Sequence, residues 1–537
     1  MKKFLLLLLG LVLPLYAQVP YQHLLKPLAE NWLTYQGDFT GRHFSLLKQV
    51  TTDNIDQLVP QWVFHVPEAK RLQTIPVVAD GVMYITQTNE VYALDARTGR
   101  AVWHYVSPKT KNNSPNRGVA VLDHRVFFVN SDAHLIALHA RTGSVLWDTP
   151  YADLEKGYFA SLSPLAINGK VIVGVSNGDC GVRGYLDAYD AATGKQLWRF
   201  WTVPGPGEPG SETWGGHPPE YSGAATWMTG TYDPELNLIF WPTGNPAPDF
   251  YGESRPGDNL YSDCVLALDA DTGKLKWHFQ FTPHDTHDWD ATECPVLIDT
   301  VFQGKPRKLL AQANRNGFFY VLDRTNGQML MAKPFVKKLN WARGILPNGR
   351  PDLVPDMDPT PTGKRVCPGV VGGTNYFSPS FNPGTGLFYV MALEECDLYT
   401  SSARPYTKGE CYEGTGADPI PSEPGQFFLR AVDIQNGEIR WEIPMVAFET
   451  AAWPGTVSTA GGLVFFADDT GYLSAADART GKLLWHFHTG QIVTASPMTY
   501  SLAGKQYVAL ATATDVFSFA LFEPVRPSPA LIERIAD

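Results

Sequence analysis

Charge is scarce in this chain. Asp, Glu, Lys and Arg together make up 18% of its 537 residues, too few for a disordered or a long-helical protein. The 43 lysines and arginines are outnumbered by 54 acidic residues and form no cluster, so the formal charge of −11 comes without the basic face that neutralises phosphates. Nucleic acid is thereby excluded as a partner. Long apolar runs are missing as well: beyond the N-terminus none approaches the ~20 residues of a membrane-spanning helix. Cysteine is sparse, six in all, and no C-x-x-C-H is present, which rules out a covalently attached haem. The chain does have 48 glycines, 42 prolines and 12% aromatic residues, the composition of a turn-rich all-β protein with a large core.

The first residues, MKKFLLLLLGLVLPLYAQ, hold two lysines, an apolar run and then Ala17 at a small-residue cleavage position. That layout predicts a secretory signal peptide over 1–17 and an exported, periplasmic mature chain over 18–537. Export permits disulfides. Cys396 and Cys411 flank a short polar loop and are expected to pair; Cys180, Cys264, Cys294 and Cys367 then allow three pairings, which spacing leaves open.

By length alone the chain would divide into domains of about 150 residues, but a repeated phrase argues for a single one. LDARTGRAVW (94–103), LHARTGSVLW (138–147), YDAATGKQLW (189–198), LDADTGKLKW (268–277), VDIQNGEIRW (432–441) and ADARTGKLLW (476–485) share one design. LDRTNGQML (322–330) is a copy without tryptophan, and Trp62 stands about one repeat before Trp103. Each phrase reads as strand, turn, strand: the Asp and Thr side chains bond turn amides, Gly supplies a positive φ, and the Trp falls on the outgoing strand. An alternating strand such as GVMYITQTNEVYAL precedes it. The unit is a four-stranded sheet that cannot bury both faces alone, so the expected fold is one eight-bladed β-propeller of four-stranded antiparallel blades, with the tryptophans docked on neighbouring blades. Excess length places excursions at 201–260 and 340–425, where function tends to concentrate.

Residues 283–293, PHDTHDWDATE, crowd His284, Asp285, His287, Asp288, Asp290 and Glu293 together. A solvated acidic loop, a metal site and a catalytic base beside a metal all suit that composition. Zinc is disfavoured, because His284 and His287 have no third N or S ligand nearby. Turn-stabilising histidines and an Asx-type Asp285 are the plainer reading.

With its tryptophan phrase and further ordered motifs, the chain over roughly 30–525 resembles the PQQ-dependent alcohol dehydrogenases, the quinoprotein methanol and ethanol dehydrogenase family. The resemblance assigns roles by motif. In NRGVAV, Arg117 would lie beside the quinone oxygens; SLSPLAI supplies Ser161 for a PQQ carboxylate; GAATW supplies Trp227 as the plate on which the ring stacks. SNGDCGVRG brings Gly178 and the metal ligand Asp179, where relatives have glutamate, and PTGNP brings the ligand Asn245. HDWD contains Asp288, the general base and a metal ligand, and Asp290, where lanthanide-using members carry an extra carboxylate. NRNG gives Arg315 at the quinone carbonyls, GGTNYF gives Asn375, AAWPG gives Trp453, and LQTIP gives Gln73 in place of a glutamate. Lys111 and Asn112 stand where many members have adjacent cysteines.

The resemblance implies oxidation of a small alcohol to an aldehyde with PQQ and Ca²⁺ or a lanthanide ion, electrons passing to a soluble cytochrome c or similar acceptor. Two alternatives share the repeat: a non-catalytic scaffold propeller and a sugar-oxidising quinoprotein. A scaffold has no use for Asp288, Asp290, Asn245, Arg117 and Arg315 together. The alcohol accepted, and whether the chain is a monomer or a homodimer, are not legible in the sequence.

Overall fold

The computed structural model describes residues 18–108, 110–446 and 454–523. The expected signal peptide and Trp453 lie outside the described residues.

The repeat folds as its pattern requires. In the first complete sheet Val77–Ala79, Val82–Gln87, Glu90–Asp95 and Ala101–Val106 pair antiparallel in that order. Val82–Gln87 is buried throughout, whereas Ala101–Val106 alternates exposed and half-buried residues, so each sheet runs from a closed interior to a solvated rim. The same four-stranded meander recurs through Ala120–Pro150, Leu165–Trp201, Thr231–Gln280 and Val296–Pro334. It recurs again through Ser380–Met445 and Thr456–His488, the latter with Phe44–Ser45 added in parallel. The C-terminal strands Met498–Leu502, Lys505–Ala511 and Asp515–Leu521 take their fourth strand from the N-terminal side of the chain: Leu58–His65 pairs antiparallel with Asp515–Leu521. The architecture is an all-β propeller of antiparallel sheets.

The tryptophans join one sheet to the next. The indole N–H of Trp62 donates to the Ala96 carbonyl at 3.2 Å, that of Trp103 to Ala140 at 2.9 Å, and that of Trp147 to Ala191 at 3.3 Å. Each ring also covers the turn glycine of the sheet it reaches: a Cβ on Gly99 would lie 2.6 Å from Trp62, and one on Gly143 2.7 Å from Trp103. Both glycines have φ of +70°, so the turn requires glycine twice over, for its conformation and for the ring above it. Lys333 covers Gly437 after the copy that lacks tryptophan.

The two excursions pack on each other. Within 340–425, Lys364–Val366, Asp397–Ser401 and Thr415–Pro419 form a small sheet of their own. Tyr406 stacks on Tyr221 of the other excursion with ring centroids 4.2 Å apart, and Tyr412 meets Tyr221 edge-on at 5.7 Å. Disulfides join Cys180 to Cys411 and Cys367 to Cys396, while Cys264 and Cys294 are free and buried. The expected Cys396–Cys411 pairing is therefore corrected. Asp397 pairs with Pro419 and Ser401 with Thr415, so Cys396 sits at the open end of a hairpin and Cys411 in the loop beyond its far end. Four or five residues of strand, at ~3.3 Å each, keep them apart. No helix among the described residues is long and apolar enough to cross a membrane.

Candidate active site

The acidic stretch 283–293 is shaped by its own side chains. Asp285 accepts the amide of His287 at 3.0 Å through Oδ1 and that of Trp289 at 2.8 Å through Oδ2, an Asx-type turn. His284 and His287 bond the carbonyls of Gly257 (2.7 Å) and Met357 (3.0 Å), as turn-stabilising histidines do. The winding leaves His284 at φ 56° and Asp288 at φ 59°, the left-handed region that Asp and His enter more readily than most side chains.

Among the described residues the structure brings together one group of three ligating side chains: Asp179, Asp249 and Asp288, whose oxygens lie within 4.8 Å of one another. Asp179 comes from the turn Gly178–Cys180, where a Cβ on Gly178 would meet Ala225 at 3.3 Å. Asp249 is buried on the 201–260 excursion. Burial first, and then the charge of Asp179, pushes the Asp288 carboxyl well above the usual range, and the same two causes act on Asp249. Asp179 reaches solvent, with protein packed around its carboxyl group. Desolvation, followed by the charge of Asp290, raises it to about 6. Asn245, buried beside this group, has no acceptor for its Nδ2. Rotation of the amide by half a turn would present Oδ1 at that point, an oxygen ligand for a hard cation.

A second set of residues faces the acids. Arg117 donates from Nη1 to the Ser161 hydroxyl at 2.7 Å, and its guanidinium lies 5.0 Å from the centre of the Trp227 ring and 4.5 Å from that of Tyr376. Arg315 donates to the Asp288 carbonyl at 2.5 Å, pairs with Asp290 Oδ2 at 3.1 Å, and lies 3.8 Å from Asp288 Oδ1. Asp290 is not in the carboxylate group. Its Oδ1 accepts from the Trp227 indole at 3.2 Å and from the Asn245 amide at 3.1 Å. Asn375 turns its Oδ1 toward Arg315 at 3.5 Å. A cavity of about 260 Å³ opens between Trp227, Asp288, Arg315, Asn375 and the apolar walls of Val370, Val371 and Phe377. Gln73 lines another depression, of about 630 Å³, with Asn113 and Pro115, and its Oε1 is buried without a partner.

The family model for the PQQ-type glucose/ethanol/alcohol dehydrogenase β-propeller domain matches residues 32–334 and 422–508. The chain is 39% identical to the quinoprotein alcohol dehydrogenase PedH of Pseudomonas putida, over 88% of this chain and 84% of that protein. The chain belongs to the PQQ-dependent alcohol dehydrogenases. It is 34% identical to a lanthanide-dependent methanol dehydrogenase of Methylorubrum extorquens, over 88% of this chain and 85% of the relative. The solved quinohemoprotein alcohol dehydrogenase of Comamonas testosteroni superimposes with a TM-score of 0.88 at 33% identity, over 95% of this chain and 83% of that one.

The residues present suit the family's PQQ and metal ion. Buried polar atoms without partners surround the cavity and its rim: Arg117 Nε, Arg315 Nε, Asn245 Nδ2 and Asp249 Oδ1. Buried polar groups ordinarily find partners, so four orphans around an indole plate are what a flat polyanion and a cation would satisfy. Sequence reasoning missed Asp249 and Tyr376. The signal for Asp249 was available, a lone acid four residues after Asn245 in an otherwise apolar PAPDF run. Tyr376 directly follows Asn375 and gave no signal of its own.

Proposed function

We propose that this chain is an exported quinoprotein that oxidises a small alcohol to an aldehyde, with PQQ against Trp227 and a Ca²⁺ or lanthanide ion among the carboxylates. The observation that carries the reading is the convergence on one cavity of the Trp227 plate, the Arg117 and Arg315 guanidinia and a group of carboxylates from separate loops. Bound there, PQQ would supply the two-electron acceptor and the cation the Lewis acidity that polarises it.

The chain's own residues would do the rest. Asp179, Asn245 and Asp288 hold the cation; Arg117, Ser161 and Asn375 receive the polar edge of PQQ, with Gln73 and the Gly178 backbone further contacts. Asp288 takes the substrate hydroxyl proton. Arg315, fixed by Asp290, puts positive charge where negative charge develops. Val370, Val371 and Phe377 keep water from the reacting centre.

Eight blades in a closed ring is the arrangement we infer from the Leu58–His65 strand completing the C-terminal sheet, with residues 18–537 as one domain. Export after loss of 1–17, and electron transfer to a soluble cytochrome c, follow from the same reading.

The decisive experiment reconstitutes the protein with PQQ and either Ca²⁺ or La³⁺ and follows dye reduction with alcohols and with aldoses. Asp288→Asn should keep the PQQ absorbance and lose turnover by about 10²- to 10⁴-fold, the contribution of a positioned base. Full turnover in that variant would remove the assignment of Asp288, and turnover with aldoses alone would make the protein a sugar dehydrogenase.

A further inference from the structure

The carboxylate that sequence reasoning overlooked is the better placed of the two candidates for the extra acidic ligand. We propose that Asp249 is a direct ligand of the cation, a third carboxylate beside Asp179 and Asp288, and that the site is thereby fitted to a trivalent ion over Ca²⁺. The proposal rests on the cation site argued above.

Four observations support it. The ligating oxygens of Asp179, Asp249 and Asp288 lie within 4.8 Å of one another, close enough for one ion to touch all three. Asp249 is 2% exposed and its Oδ1 has no hydrogen-bond partner, so a buried carboxyl oxygen is left unsatisfied where a cation would meet it. Its main chain is pinned on both sides: the Asp249 carbonyl accepts from Arg255 at 3.1 Å, and the next amide, of Phe250, donates to the Glu413 carbonyl at 2.8 Å. The side chain is thus held in the group by more than its own preference. Asp290, by contrast, has both oxygens engaged, Oδ1 by Trp227 and Asn245 and Oδ2 by Arg315.

Charge balance decides the ion. Three carboxylates converge, and the two guanidinium groups near them are engaged elsewhere: Arg315, 3.8 Å from Asp288, pairs with Asp290, and Arg255 donates to main-chain carbonyls, that of Asp249 among them at 3.1 Å. A 3+ ion neutralises the group, where Ca²⁺ leaves a buried negative charge. Ligand charge count is the ordinary means by which such sites set affinity for hard cations.

The test is a luminescence titration of PQQ-free protein with Tb³⁺, with Ca²⁺ measured by competition. Asp249→Asn should weaken Tb³⁺ by more than about tenfold and Ca²⁺ by less, narrowing the ratio between them, while Asp290→Asn has the smaller effect. Melting curves keep folding separate from binding. With one repelling carboxylate fewer, metal-free Asp249→Asn should melt at or above the parent temperature, and its rise on adding Tb³⁺ should shrink. If Asp249→Asn binds Tb³⁺ like the parent while Asp179→Asn and Asp288→Asn lose it, Asp249 is no ligand and the cation site stands without it. If none of the three variants changes binding, the cation site itself is wrong.

Discussion

His43 is wholly buried, its Nδ1 against the Thr456 carbonyl, its Nε2 without a partner and its ring edge-on to Trp32 at 4.9 Å. Burial is the first cause that pulls its pKa from 6.5 down to about 4. The folded state therefore resists a proton that the unfolded chain accepts. The contribution of the neutral ring is fully present above pH 6.5 and is lost as pH falls from 6.5 toward 4, to a limit of about 3 kcal/mol. A denaturation midpoint measured across that window should decline toward acid, and His43→Phe should flatten the decline. An unchanged slope in the variant would place the acid sensitivity elsewhere. Asp290 shows the converse at the same scale: a buried acid with both oxygens engaged, Oδ1 by the Trp227 indole and the Asn245 main-chain amide and Oδ2 by the Arg315 guanidinium.

At the scale of elements, residues 411–413 act as a strap across the acidic site. Cys411 is bonded to Cys180, the Tyr412 amide donates to the Asp179 carbonyl at 2.7 Å, and the Glu413 carbonyl accepts from Phe250 at 2.8 Å. Three consecutive residues thus fasten the turn that carries Asp179 to the loop that carries Asp249. Arg255 works from the other side, donating to the carbonyls of Pro248 at 2.9 Å, Asp249 at 3.1 Å and Asp285 at 2.5 Å. Replacing Cys180 and Cys411 together by serine should leave the propeller folded and weaken cation binding about 10- to 100-fold, as loss of support around ligands does. A titration unaltered by the double replacement would show that the strap serves stability alone.

Across the whole molecule, cohesion between sheets is carried by a series of like contacts, an indole on the glycine turn of the next sheet, with Lys333 taking that place over Gly437. Trp103 is half-buried, bonds Ala140 and lies against Tyr84 with ring centroids 5.9 Å apart. Trp103→Ala removes the ring, its packing and its hydrogen bond, and should lower stability by about 2–4 kcal/mol. Because the contact lies outside the cavity that contains Trp227, PQQ absorbance and turnover of the folded variant should match the parent. A loss of cofactor at temperatures where the variant remains folded would contradict that separation of scaffold from site. Arg430 is a further structural device, wholly buried and held by Glu394 at 2.5 Å, the Phe335 carbonyl at 2.8 Å and Glu442 at 3.0 Å.

The sheets were legible because they are built from local rules: a turn of about five residues, a strand of period two and a tryptophan at a set distance from the turn glycine all lie within some twenty residues of chain, and their docking was legible because the phrase recurs from sheet to sheet. By itself the sequence determined the repeat, the excursions and Asp285 as a turn former, and its motifs singled out Asp288, Arg315 and Trp227 as candidates. Tertiary structure alone decided which distant groups meet. Cys411 pairs with Cys180 across 231 residues, Asp249 joins Asp179 and Asp288, and Asp290 turns from the carboxylates to Arg315. No local rule contains those outcomes. A propeller places the ends of remote loops side by side over one cavity, and the partner each side chain finds there is set by distance and charge in three dimensions.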